Sequence, residues 1–231
     1  MNAVLITGSS RGLGRELALV FAQNGHPLII HGRDAKRLEE VKNEVESCHV
    51  ACDVIRGDLR EDSTLTALAA KASQGNISLL INNAAIMSKG PVESLSDAEI
   101  DEVLAVNLAA PLKLTSKIYP LFAKKGEGMI ININSTDGLE TLESHSLYSA
   151  AKTGLRAFTE GVRKDGLKHN VRVLSVHPAG MQTEFHKRVG GHKDYTLCMS
   201  PGEVAEHIFQ LSKGGSVRTD LVVFNRKRSA V

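Results

Sequence analysis

Apolar runs of strand length alternate with longer stretches whose apolar residues recur three and four apart, along nearly the whole chain. Residues 4–7 read as a buried strand. A glycine turn follows, then a helix carrying Leu13, Leu17, Val20 and Phe21 on one face. It closes at Asn24-Gly25, where glycine takes the left-handed C-terminal position without strain. Strand two is expected at 28–31, followed by a helix that Asp34 caps and that places Leu38, Val41 and Val45 at helical spacing. Strands at 50–55 and 79–82 flank a helix at 63–73. In the second half, Ser96 or Asp97 caps a helix running past Asn107, and Pro111 inside it predicts a kink or a break. A strand at 129–134, a long helix at 147–167 and a strand at 171–177 come next. An irregular stretch then runs from Pro178 to Ser200, before a helix from Pro201 and a last strand at 221–225. Strict alternation predicts an α/β architecture, a doubly wound parallel sheet of about seven strands with helices on both faces. No linker or repeat divides it, so residues 1–231 are expected to form one domain.

Composition narrows the function classes. A chain of 231 residues that is 42% hydrophobic before its 20 glycines are counted can bury a core without staples. Lys and Arg exceed Asp and Glu by only two, which argues against nucleic acid as the main partner. Cys48, Cys52 and Cys198 complete no zinc spacing and read as reduced thiols packed as small apolar groups, so no metal is expected. No apolar run approaches the length of a membrane span, and the first, at 3–6, is too short for a signal peptide. A cytoplasmic protein is therefore expected.

The segment Thr7-Gly8-Ser9-Ser10-Arg11-Gly12-Leu13-Gly14 sits between the first strand and the first helix. A dinucleotide pyrophosphate needs close backbone approach and a helix N-terminus, where unpaired N–H groups and the dipole favour an anion. The spacing is G-x-x-x-G-x-G rather than G-x-G-x-x-G, so the turn reads as dinucleotide-binding or as a plain tight turn. Gly8 to Gly12 also matches G-x-S-x-G, but a hydrolase elbow needs several strands before it, and only seven residues precede Gly8.

Tyr148 and Lys152 lie four apart on the long helix, so phenol and ammonium share one face, with Ser135 at the end of the preceding strand. A free phenol titrates near 10, and bringing it to neutrality needs about 4 kcal/mol. A cation about 4–5 Å away supplies about 3–4 kcal/mol at an effective dielectric near 20. Alone, such a pair reads first as a solvated helix face, where this spacing is common.

Taken in order, the glycine turn, Asn82-Asn83-Ala84, Asn107, Ser135, Tyr148-x-x-x-Lys152 and Pro178 resemble the short-chain dehydrogenase/reductase family, in its single-domain branch. Two positions depart from its usual pattern: Ala85 follows Asn82-Asn83-Ala84 where the family has glycine, and Ala179 follows Pro178 likewise. The resemblance implies a Rossmann fold and hydride transfer between NADP(H) and a small carbonyl or alcohol substrate. It implies Tyr148 as acid/base, Lys152 lowering its pKa and holding the ribose, Ser135 bonding the substrate oxygen, and Asn107 holding a relay water. Gly8, Ser10, Arg11, Gly12, Leu13, Gly14, Asn83, Ala84, Ala85, Tyr148, Lys152, Pro178 and Thr183 are the implied cofactor contacts, with Asp58 and Leu59 at the adenine. The second strand ends in Gly32-Arg33 with no carboxylate at its tip, and Arg33 with Arg11 can pair a 2′-phosphate. Asp34 is better placed as a helix cap. The alternative is a catalytically idle NADP-binding regulator or scaffold of the same fold, though such a protein has no need to retain Ser135, Tyr148, Lys152 and Asn107 together.

Family members commonly dimerise through the kinked and the Tyr-bearing helices, so a homodimer or higher homo-oligomer is expected. Leu104, Leu108, Leu112, Leu155 and Phe158 would supply its surface unless they face the sheet; the charged tail Arg226-Lys227-Arg228 argues against a tetramer built on C-termini. The stretch from Gln182 to Ser200 is longer than a typical connection. It reads as a solvated loop or as a lid hinged at Gly190-Gly191. As a lid it would bring Lys187 and Arg188 to a polar or anionic carbonyl substrate, with Phe185 and Tyr195 as its apolar wall.

Overall fold

Each inner strand alternates its side chains between two buried faces. Val4, Ile6, Leu28, Ile30, Leu79, Ile81, Met129 and Ile131 point into one apolar cluster, while Leu5, Ile29, Leu80 and Ile130 point into the other. Burial on both faces is why these segments read as unbroken apolar runs. In the computed structural model, which describes residues 1–185, 198–214 and the backbone of 221–224, the strands are β1 (Val4–Ile6), β2 (Leu28–Gly32), β3 (Cys52–Arg56), β4 (Leu79–Asn82), β5 (Gly128–Ile133) and β6 (Val171–Pro178), with β7 (Leu221–Phe224) pairing along β6. All pairings are parallel and the order is β3-β2-β1-β4-β5-β6-β7. From β1 the chain moves outward to β2 and β3, then returns to place β4 on the other side of β1. A crevice therefore opens beyond the C-terminal ends of β1 and β4, where ligands bind in open α/β sheets.

The helices are α1 (Gly12–Gln23), α2 (Ala35–Glu46), α3 (Asp62–Gln74), α4 (Asp97–Leu104), α5 (Ala110–Lys125), α6 (Ser146–Gly166) and α7 (Pro201–Lys213). Leu17 and Phe21 of α1, Leu38 and Val41 of α2 and Val204 and Ile208 of α7 cover one face, and Leu65, Leu68, Leu114, Ile118 and Phe122 of α3 and α5 cover the other. Asp34 caps α2 by accepting from the Arg37 N–H at 3.1 Å, and Ser96 caps α4 by accepting from Glu99 at 3.2 Å. The break predicted at Pro111 lies slightly earlier. A wide π turn at Ala105–Ala109 joins α4 to α5 with helical backbone throughout, and Pro111 falls in the first turn of α5, just after the widened turn. Leu155 packs into the interior and offers no docking surface, whereas Leu104, Leu108, Leu112 and Phe158 are half-buried. The charged tail at 226–228 lies outside the described residues.

Among the described residues, no helix is long and apolar enough to cross a membrane, and no three metal-ligating side chains gather. The three cysteines are free, and burial pushes the Cys52 thiol up to about 12.

Candidate active site

The glycine turn is built by backbone crowding. Gly8 holds φ +70°, and a Cβ there would lie 2.8 Å from the Ala84 Cα; a Cβ on Gly14 would collide with the Gly8 carbonyl oxygen. Asn83 ties the turn to β4, donating from Nδ2 to the Thr7 and Gly8 carbonyls at 2.9 and 3.1 Å. The Thr7 hydroxyl accepts from the N–H groups of Asn83 and Ala84. Unlike α2 and α4, α1 begins with no side-chain cap, and its first turn carries no acidic residue. The cradle thus presents a helix N-terminus and close-packed backbone to whatever lies above it, the arrangement that suits a pyrophosphate.

A histidine supports this turn from below. His31, at the end of β2, accepts the Gly8 N–H on Nδ1 at 3.4 Å, which leaves Nε2 to donate to the Gly57 carbonyl at 3.2 Å. Burial lowers its pKa to about 4, so the ring stays neutral and spans the two loops.

One cleft of about 1100 Å³, its open mouth included, runs over this turn. Of the sequence-predicted residues, Gly8, Ser10, Arg11, Gly12, Leu13, Gly14, Arg33, Asp58, Leu59, Asn83, Ala84, Ala85, Tyr148, Lys152 and Thr183 line it. Three do not. Pro178 is the last residue of β6 and does not line the cleft. Ser135 bonds Tyr148 without lining the cleft. The Asn107 carboxamide turns to Ile86, accepting its N–H and donating to its carbonyl, both at 2.8 Å.

At the far end, Tyr148 and Lys152 are both buried on α6. The Lys152 ammonium donates to the Ile133 carbonyl at 2.8 Å and stands 5.7 Å from the Tyr148 ring centre. Burial pushes Lys152 down to about 8. Burial, and then the Asp137 carboxylate, raise the Tyr148 phenol well above its ordinary value, and only a hydrogen bond from Ser135 pulls it down. Burial dominates at Tyr148, so the phenol stands above its ordinary value and not below it. Ser135 itself is held from two sides. The Asp137 N–H donates to its hydroxyl at 3.1 Å, and His177 Nδ1 donates to its carbonyl at 2.7 Å. The Ser175 hydroxyl, 2.7 Å from Nε2, completes the His177 site.

The opposite rim is cationic and exposed. Arg33 lies 3.7 Å from Asp58, which hydrogen-bonding by Arg60 holds down at about 2. Arg11 and Arg37 both reach the Glu184 carboxylate at 3.1 Å. The Phe185 ring centre is 6.1 Å from that of Tyr148. The rest of the suspected lid, with Lys187, Arg188, Gly190, Gly191 and Tyr195, lies outside the described residues.

Sequence reasoning missed His31, Arg37, His177 and Glu184. For the two histidines a signal existed: each is the lone titratable side chain at the C-terminal end of an apolar strand, the edge where the crevice opens.

Comparison with known proteins agrees with this fold. The family model for short chain dehydrogenases matches residues 2–194. Dehydrogenase/reductase SDR family member 7B of Mus musculus is 31% identical over 224 residues, covering 89% of this chain and 68% of that protein. An uncharacterized oxidoreductase of Thermotoga maritima is 29% identical over 183 residues, covering 79% of this chain and 73% of that one. A short-chain dehydrogenase from Sphingobium yanoikuyae, solved in complex with NADPH, superposes with a TM-score of 0.88 at 28% identity, covering 96% of this chain and 87% of that one. The chain belongs to the short-chain dehydrogenase family of oxidoreductases.

Proposed function

We propose that this protein reduces small carbonyl compounds with NADPH, or oxidises the corresponding alcohols with NADP, using Tyr148 as the proton donor and acceptor. The observation that carries this reading is the meeting of two constellations in one cleft. The crowded glycine turn lies at one part of it, and Tyr148 and Lys152, backed by the Ser135 hydroxyl, lie at another. NADP(H), when bound, supplies or accepts the hydride. Gly8, Gly12 and Gly14 with the uncapped start of α1 would hold its pyrophosphate, and Tyr148 and Lys152 its nicotinamide ribose.

The chain's own residues handle the proton. A phenol is protonated at neutral pH and so is ready to donate, which suits reduction. Ser135, which bonds the phenol, holds it in place for that transfer. Lys152, fixed on the Ile133 carbonyl, places a cation beside the phenolate as it forms. Asn107 supports the site through Ile86 and so shapes the loop beyond β4. NADP is favoured over NAD by Arg11, Arg33 and Arg37 at one rim, and by the absence of a carboxylate at the tip of β2, since Asp34 spends its own on α2.

The test is oxidation of NADPH by the purified protein with a panel of ketones and aldehydes. Tyr148→Phe is expected to lower kcat by at least about 10²-fold while NADPH affinity changes little. Near-normal turnover in Tyr148→Phe refutes the assignment, and equal kcat/KM with NADH and NADPH refutes the cofactor preference.

A further inference from the structure

A second pair of buried ionisable side chains lies behind Ser135 and takes no part in the chemistry above. Asp137 follows Ser135 in a short 3-10 turn, Thr136–Gly138, and His145 is the residue just before α6. Both are buried, and His145 Nδ1 meets Asp137 Oδ2 at 2.6 Å. An ionised carboxylate only accepts, so Nδ1 carries the proton. Such a group is costly to bury and is retained only where it is paired.

What the pair connects gives it a purpose. The Asp137 N–H donates to the Ser135 hydroxyl, which leaves the hydroxyl proton for the Tyr148 oxygen. The His145 carbonyl accepts from Ser149 in the first turn of the helix that carries Tyr148 and Lys152. Farther along that helix, Arg156 Nε donates to the Gly138 carbonyl at 3.1 Å. The turn that carries Ser135 and the helix that carries Tyr148 are therefore joined at both ends of the contact. At the Tyr148 end the Asp137–His145 bond joins them beside the Ser135–Tyr148 hydrogen bond.

We propose that Asp137 and His145 form a positioning pair, which fixes the Ser135 hydroxyl against the Tyr148 phenol by tying the turn after β5 to the start of α6. The proposal rests on the reading of Tyr148 as acid/base. It adds a second effect, because the Asp137 charge strengthens proton retention by both Tyr148 and Lys152. Among the described residues, Arg156 on α6 and His177 on β6 also reach this turn, through the Gly138 and Ser135 carbonyls.

Three variants separate the two effects. His145→Leu removes the pairing, His145→Gln keeps a donor, and Asp137→Asn keeps an acceptor but removes the charge. His145→Leu is expected to lower kcat on the order of tenfold or more, the scale of a small displacement at a reacting group. NADPH binding, followed by fluorescence, should stay within about twofold, and His145→Gln should recover most of the loss. Removing the negative charge makes the phenolate easier to form. Asp137→Asn should therefore move the high-pH limb of the reduction profile down by about half a unit or more.

The proposal is overturned if His145→Leu keeps kcat within about twofold of wild type, or if kcat, NADPH binding and melting temperature all fall together. It is also overturned if His145→Gln is as impaired as His145→Leu, or if the limb does not move in Asp137→Asn. Tyr148→Phe is assayed in parallel, because full activity there refutes the acid/base reading instead. The pairing itself is read without turnover from ¹⁵N-labelled histidine. His145 should carry a proton on Nδ1, and a ring protonated on Nε2 alone overturns the pair.

Discussion

The two ends of the cleft are held together by opposite means. At the Tyr148 end, Lys152, Ser135, His177, Asp137 and Asn134 meet in buried hydrogen bonds, with few groups exposed to water. At the arginine end, Arg11, Arg33 and Arg37 stand about 40–50% exposed in ion pairs with Asp58 and Glu184. Buried polar networks are rigid and costly to disturb, whereas exposed pairs are worth little and fade with salt. The end assigned to the chemistry is therefore preorganised, and the end assigned to the adenosine phosphate can exchange one anion for another.

The sharpest way to break the comparison is Lys152→Met. If the buried ammonium is there for chemistry, kcat should fall by at least about 10²-fold, comparable to losing acid–base help. Stability should behave differently. Replacing a buried charge by an apolar side chain of similar length removes a desolvation penalty, while losing one bond to the Ile133 carbonyl costs about 1 kcal/mol. The melting temperature is expected to stay within a few degrees, as calorimetry would show. A large drop in both would make Lys152 a structural residue.

His31 is a buried group under the exposed end. Its pKa falls from 6.5 to about 4 on folding because burial disfavours the imidazolium. Below 6.5 the unfolded chain binds a proton that the folded chain refuses, so stability is full above that value and falls as pH drops toward 4. The loss reaches about 3 kcal/mol. Denaturant melts at pH 7 and pH 4 measure it. His31→Gln, which cannot ionise, should flatten the slope by about that much, and an unchanged slope would show that the acid sensitivity arises elsewhere.

How much of this was legible in the chain follows the same division. The sheet was readable because residues buried on both faces give continuous apolar runs, and the cradle because only glycine tolerates the contacts at Gly8 and Gly14. Tyr148 and Lys152 announced themselves by helical spacing. What escaped were polar residues whose partners lie far away along the chain. His31 bonds residues 23 and 26 positions away, and His177 bonds one 42 positions away. The sheet order creates those meetings, and local periodicity carries no trace of them. The π turn at Ala105–Ala109 escaped for a related reason: Pro111 signals that a helix must restart, not how the preceding turn widens.

At the exposed end, Arg33→Ala should raise KM for NADPH about tenfold at low salt, as expected for one charge-assisted bond to phosphate, and leave KM for NADH nearly unchanged. Equal effects on both cofactors would place Arg33 away from the 2′-phosphate.

The smallest effect belongs to Glu184, and its sign is the informative part. Its carboxylate sits between Arg11 and Arg37, which hold its pKa below the ordinary carboxylate range, the Arg37 hydrogen bond contributing most. If those arginines receive the cofactor phosphate, Glu184 competes for them, and binding must first exchange one anion for another. Glu184→Gln removes the competing charge, so KM for NADPH should fall rather than rise, by a factor of about two to five, the worth of an exposed ion pair. The gain should shrink as salt rises, since screening acts over about 8 Å at physiological ionic strength. Measured at low and high salt with both cofactors, an increase in KM for NADPH would mean that Glu184 supports the site instead. In that case the arginine end would be preorganised like the Tyr148 end, and the contrast between them would fail.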